Sequence, residues 1–271
     1  DMVANLTVND FAALTSNIES VEQWNDLVAI YNALVDIKGA GNVAKPTFTV
    51  TSDIVFKEDI KVPACGAVLS TLSATVTIDG DVEWPEALEA DGNAVVVVNQ
   101  GATLTFDPSK AAEINADITN HGTIKAGQFA SISTDAADKL DNTDGRVIVE
   151  YGAYIYPTAT KEGVIAYEVT ANNATEMGHI NQLIATSAQK GYASVNTLIV
   201  KTELNLNAKA GSDTDGDRYE EGTTSGNLSS LEKIDIELNG GKVIYTTGNN
   251  NKVNNVISID GENTIEDVQP M

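Results

Sequence analysis

Between about residues 21 and 37 the apolar positions Trp24, Leu27, Val28, Tyr31, Leu34 and Val35 recur at helical spacing. They predict an amphipathic helix with one apolar face. Ser20 stands where an N-cap belongs, with Gln23 three residues on, and Gly39 and Gly41 follow as stop signals. After the glycines the period drops to two: Phe48, Val50, Ile54 and Phe56 alternate with Thr, Ser, Asp and Lys. Further strands are predicted at 74–78, 94–98, 103–106, 123–125, 146–149 and 153–156, with Gly, Asn and Asp between them.

A phrase recurs among these strands. Asn99-Gln100-Gly101-Ala102-Thr103-Leu104, Asn120-His121-Gly122-Thr123-Ile124 and Glu150-Tyr151-Gly152-Ala153-Tyr154-Ile155 share a polar pair, a glycine, a small residue and an alternating strand. From Ile54 through Ile78, Leu104, Ile124 and Ile155 the steps are 24, 26, 20 and 31 residues, the range of one solenoid coil with loops of unequal length. One short strand cannot bury its apolar face alone, but stacked coils merge their Val, Ile and Leu into a continuous core. A glycine after asparagine suits a sharp corner, often with positive φ. The expected fold is a right-handed parallel β-helix with amphipathic capping helices; an antiparallel β-sandwich, whose hairpins use the same turn chemistry, is the alternative.

A longer repeat overlies the short one. Met177, Ile180, Ile184 and Ala188 match Trp24, Leu27, Tyr31 and Val35 at an offset of 153, and Leu198, Val200, Leu204 and Leu206 match Phe48, Val50, Ile54 and Phe56 at 150. This divides the chain into an N-terminal segment (1–20), a first unit of capping helix and coils (21–170) and a shorter second unit of the same kind (171–271). Each helix is expected to cover the open strand edges that follow it.

Over 47–156 and 195–261 this rhythm resembles the right-handed parallel β-helix proteins of the pectin-lyase-like group, in particular the uncharacterised surface proteins of that shape common in gut bacteria. The resemblance implies a bacterial envelope or secreted protein. Its activity is left open, because the group contains lyases, hydrolases, adhesins and passive stalks.

Composition narrows the choice. With 42% apolar residues and 6% aromatic ones, the core must be built from aliphatic side chains, as suits many short strands. Against 16 basic residues stand 39 acidic ones, a net charge of −23 that opposes binding to nucleic-acid phosphates or an anionic bilayer. Cys65 is the single cysteine, so no intrachain disulfide forms, and a small core residue is its expected role. No apolar run is long enough to span a bilayer. The chain opens at Asp1 rather than Met, from which removal of a signal or lipoprotein leader, and export, are expected.

Catalytic constellations are fragmentary. Asn142-Thr143-Asp144-Gly145 looks like one motif of polygalacturonases, but the companion paired Asp, Gly-His-Gly and Arg-Ile-Lys segments are missing, and a plain turn is the better reading. Lyase chemistry needs a basic cluster, and the only arginines are Arg146 and Arg218. A rival enzyme reading stacks Asp79, Asp107, Asp117 and Asp144 into one column. Asp213, Asp215 and Asp217 alternate in a glycine-containing loop that would suit calcium, the one cofactor the sequence suggests, although the spacing is not that of an EF-hand. Among aromatic side chains able to stack on sugar rings are Trp24, Trp84, Tyr151, Tyr154 and Tyr156; Trp24 fits the helix core better, and Tyr154 and Tyr156, on one side of a strand, form the best ladder, with core packing the more common role for such a pair. The resulting expectation is a noncatalytic secreted or surface module contacting a glycan or a surface protein.

Overall fold

The computed structural model describes residues 14–106, 112–126, 131–133, 140–150, 154–156, 163–169, 180, 183, 194–205, 234–245, 255–262 and 264–267. Helix α1 (Val21–Lys38) leads into a first coil of two strands, β1 (Thr47–Val50) and β2 (Ile54–Phe56). Coils of three strands follow: β3 (Ala67–Thr71), β4 (Val76–Ile78) and β5 (Asp81–Trp84); β6 (Leu88–Ala90), β7 (Val95–Val98) and β8 (Thr103–Phe106); β9 (Ala112–Glu113), β10 (Asp117–Asn120) and β11 (Thr123–Ala126); β12 (Ser131–Ser133), β13 (Leu140–Asp141) and β14 (Arg146–Val149). The chain then runs through β15 (Tyr154–Tyr156), β16 (Val164–Val169), β17 (Thr197–Val200), β18 (Glu203–Asn205), β19 (Asp235–Asn239), β20 (Lys242–Tyr245), β21 (Asn255–Asp260) and β22 (Thr264–Asp267).

Each strand pairs with its counterpart in the neighbouring coil. Sheet I is β1-β3-β6, continued by the Ala90–Ile114 bridge towards β9-β12-β15; sheet II is β2-β4-β7-β10-β13; sheet III is the eight-stranded β5-β8-β11-β14-β16-β17-β19-β21; sheet IV is β18-β20-β22. Every pairing among the described residues is parallel, which makes the fold a parallel β-solenoid and removes the antiparallel sandwich. Inward positions such as Leu104, Ile124 and Val147 are buried in register, so the core is a set of aliphatic columns.

Register sets the coil lengths. Thr47 pairs with Val68, 21 residues on, and Thr103 with Thr123, 20 on, whereas Ala166 pairs with Thr197, 31 on, and Thr197 with Asp235, 38 on. The series Ile54, Ile78, Leu104, Ile124 and Ile155 is not one column: the first two lie in sheet II, the next two in sheet III and the last on β15. Three faces with the same alternation cannot be told apart by period alone. Likewise, β17 lies in sheet III whereas β1 lies in sheet I, so the match of Leu198 and Val200 to Phe48 and Val50 relates strands of different faces. β16 and β17 pair directly, as neighbours in sheet III.

The first helix caps the solenoid as its pattern predicts. Ser20 Oγ accepts from the Gln23 N–H at 3.1 Å, and the Gly39 N–H closes the other end on Val35 O at φ +80°. Trp24 is fully buried, edge-on to Phe48 at 4.8 Å and Phe56 at 5.7 Å, and its indole N–H donates to Lys61 O. Ile18 bridges to Val50 beside the helix and satisfies backbone groups on the first edge of sheet I. Most of the second expected helix lies outside the described residues. Two of its positions, Ile180 and Leu183, are buried, and Leu183 O accepts from the Val195 N–H.

Across the outer face of sheet III runs a clamp. Arg146 on β14 makes a two-pronged ion pair with Glu237 on β19, Nη1 to Oε1 at 3.0 Å and Nη2 to Oε2. Two strands, β16 and β17, lie between them in the sheet order, a span of about 14 Å at ordinary strand spacing. Their outward residues Ala166 and Thr197 are small and buried, leaving room for the long side chains to cross.

A candidate binding groove at the first corner

Two corners of the coil differ in chemistry. Between sheets II and III the corners are Asp79-Gly80, Asn99 to Ala102, Asn120 to Gly122 and Asn142 to Gly145, and their leading side chains form two bonded pairs. Asn99 Nδ2 donates to Asp79 Oδ1 at 2.9 Å, and Asn120 Nδ2 donates to Asn142 Oδ1 at 2.7 Å and to Arg146 O at 3.0 Å. Asn120 Oδ1 accepts from the Gly122 N–H, and Asn142 Nδ2 donates to Val164 O. Both Asn120 and Asn142 are buried. The glycines here answer to space rather than to handedness: a Cβ on Gly122 would collide with the carbonyl oxygens of Asn99 and Ala102, and one on Gly145 with Asn120. Of the corner glycines named above, Gly101 alone has positive φ.

The corner between sheets I and II is open. A groove of about 720 Å³ runs along it, lined by Thr49, Ser73 and Thr75, by the buried Ser70 and Thr71, by Asn93, and by Asp117. Leu72 stands on its wall with 63% of its surface exposed. The wall is held from behind: Thr71 Oγ1 donates to Asn93 O at 2.8 Å, the Asn93 N–H donates to Asp91 Oδ1 at 2.9 Å, and the Thr75 N–H donates to Asp53 Oδ1 at 2.8 Å. Ser73 has φ +57°, the one positive-φ residue other than glycine among those described. Backbone held in a sparsely populated region concentrates at functional surfaces. Carried back along the chain, the register of β4, β7 and β10 places Ser73, Asn93 and Asn115 at equivalent positions of successive coils, three residues before the Val76–Val96 pair and two before the Val95–Asp117 pair. Asn115 Oδ1 is buried without a hydrogen-bond partner, the one such side-chain atom among the described residues.

The residues singled out in the sequence are dispersed. Asp144, from the Asn-Thr-Asp-Gly segment, stands at a sheet II to sheet III corner 3.7 Å from His121 Nδ1. Asp79 shares that corner line but is three strand steps away, about 14 Å, against the roughly 5–9.5 Å that separates glycosidase carboxyls. Asp117 begins β10 at the opposite edge of sheet II, and Asp107 lies outside the described residues. The Asn99 hydrogen bond and, less strongly, Lys57 hold the Asp79 carboxyl below its ordinary range, away from what a general acid requires.

Trp84 is buried, with its N–H donating to Leu88 O, so neither tryptophan offers a ring to a sugar. Tyr154 and Tyr156 are in register with Ser131 and Ser133 on the edge strand of their sheet; Tyr151 lies outside the described residues, as do Asp213, Asp215 and Asp217. Among the described residues no group of three or more His, Cys, Asp or Glu is placed to hold a metal ion. Cys65 is half-buried against the core, and burial pushes its thiol up, opposite to a nucleophile. Sequence reasoning missed the groove because its strand β3 and its Ser-Thr wall carry no chemical motif.

These features define a parallel β-solenoid with one closed and one open corner. Comparison with protein-family models, curated proteins and solved structures gives no match.

Proposed function

We propose that the chain is a noncatalytic binding module acting outside a bacterial cell or on its surface, with a neutral glycan seated in the corner groove. The observation that carries this reading is the groove itself: serine and threonine residues with an amide, a carboxylate and one exposed leucine along a corner of stacked coils. Hydroxyl and amide groups exchange hydrogen bonds with sugar hydroxyls, and Leu72 offers an apolar patch to a ring face. The net charge of −23 argues against polyanionic ligands and leaves neutral ones favoured.

Titration of neutral oligosaccharides, led by a glycan array, tests it. Saturable binding that falls at least about tenfold in Ser73→Gly or Leu72→Asp is the expected result. Absence of any bound glycan, or release of reducing ends or unsaturated products from a polysaccharide, overturns it. For the location, protease shaving of intact cells producing the natural gene product should remove the protein.

A further inference from the structure

A second cavity, of about 250 Å³, opens on the outer face of sheet III and is lined by Thr105, Phe106, Lys125, Ala126, Ile148, Glu150, Glu168 and Lys201. We infer that it is a binding site for a small zwitterion of the α-amino-acid class, with the ligand carboxylate on Lys125 and its ammonium between Glu150 and Glu168. This site is separate from the corner groove and does not depend on the proposal made for it.

Register sets the charges. Lys125 is opposite Ile148, which is opposite Ala166, and the pairing of Val149 with Tyr167 brings Glu150 beside Glu168 on adjacent coils. Like charges opposite one another in a sheet repel, so the position favours an intervening cation. Lys201 Nζ meets Glu168 Oε1 at 2.8 Å and answers one of the two carboxylates. Among the described residues neither Glu150 nor Lys125 has a side-chain partner. Lys125 is exposed, and its Cα lies roughly 8 Å from that of Glu150 by strand spacing and rise. A molecule bearing both charges matches both groups at once. Ile148 supplies an apolar surface between them, and the ends of β8 and β11 border the cavity. Two lysines and two glutamates balance locally in a chain that is otherwise strongly anionic.

Calorimetric and NMR titration of the whole chain with L-leucine, leucinol and 4-methylpentanoate tests this without altering the protein. Leucine should bind at least about tenfold more tightly than either single-charge analogue, and the affected amides should lie on β11, β14 and β16. Lys125→Met should abolish the preference for leucine over leucinol, and Glu150→Gln the preference over 4-methylpentanoate, with far-UV circular dichroism unchanged. Equal affinity for the three compounds, no saturable binding, or shifts confined to other strands would overturn the assignment.

Discussion

The two corners of sheet II hold similar residues in opposite states. On the side facing sheet III, Asn120 and Asn142 are buried with their amides bonded to each other, to carbonyls of the next coil and to a glycine N–H. On the side facing sheet I, Asn93 borders an open groove and Asn115 keeps a buried carbonyl unmet. A repeated asparagine is therefore not a role by itself. From Asn120 to Asn142 to Val164 each amide is satisfied by the next coil, and these bonds tie the coils together; at the other corner hydroxyl-bearing residues and a positive-φ serine border open space.

The sharpest break is Asn120→Ala. It strands Asn142 Oδ1, Arg146 O and the Gly122 N–H in a buried corner, and a loss of about 3 kcal/mol is expected from urea unfolding. Gly122→Ala comes next, at about 2 kcal/mol, because the added methyl presses on carbonyls of the preceding coil that cannot swing away. Asn115→Val should have the reverse sign, raising stability by up to about 1 kcal/mol, since it removes an unmet acceptor and nothing bonded to it; a destabilisation like that of Asn120→Ala would show that the two corners are alike after all.

The smallest effect belongs to Asp79. Its folded carboxyl titrates below the unfolded one, chiefly through the Asn99 bond, so its contribution is complete above the ordinary Asp range of about 3.9 and fades as pH falls through the lowered value. Melting temperatures of wild type and Asp79→Asn should consequently differ most near neutrality and converge in acid.

Much of the scaffold was legible in the residues. Helical spacing from Trp24 to Val35, its Ser20 cap and the Gly39 stop reappear in α1, and the strands around Leu104, Ile124 and Val147 fall where alternation put them. Apart from β1, the third face was not legible: β3 follows a glycine turn, β6 and β9 are two or three residues long, and the buried positions of β3 and β6 include Ala67 and Ala90, which carry little periodic signal. Without that face, strands of different sheets were assigned to one column, and the steps between them were not coil lengths. The Asn-Gly phrase was found, but its physical cause was not, since whether glycine serves positive φ or a tight approach depends on the coil beneath it. The groove escaped notice for a related reason. Threonine and serine on a strand read as ordinary solvated residues until the register sets them side by side.

The clamp between Arg146 and Glu237 joins residues 91 positions apart in the sequence and spans two intermediate strands. Repeat proteins held by nearest-neighbour contacts let go one repeat after another. This bond adds a tie between non-neighbours. Under tension applied from the C-terminal end, β19, β17 and β16 are expected to release together with β14, a single long step in a pulling trace that Arg146→Ala should split into shorter ones.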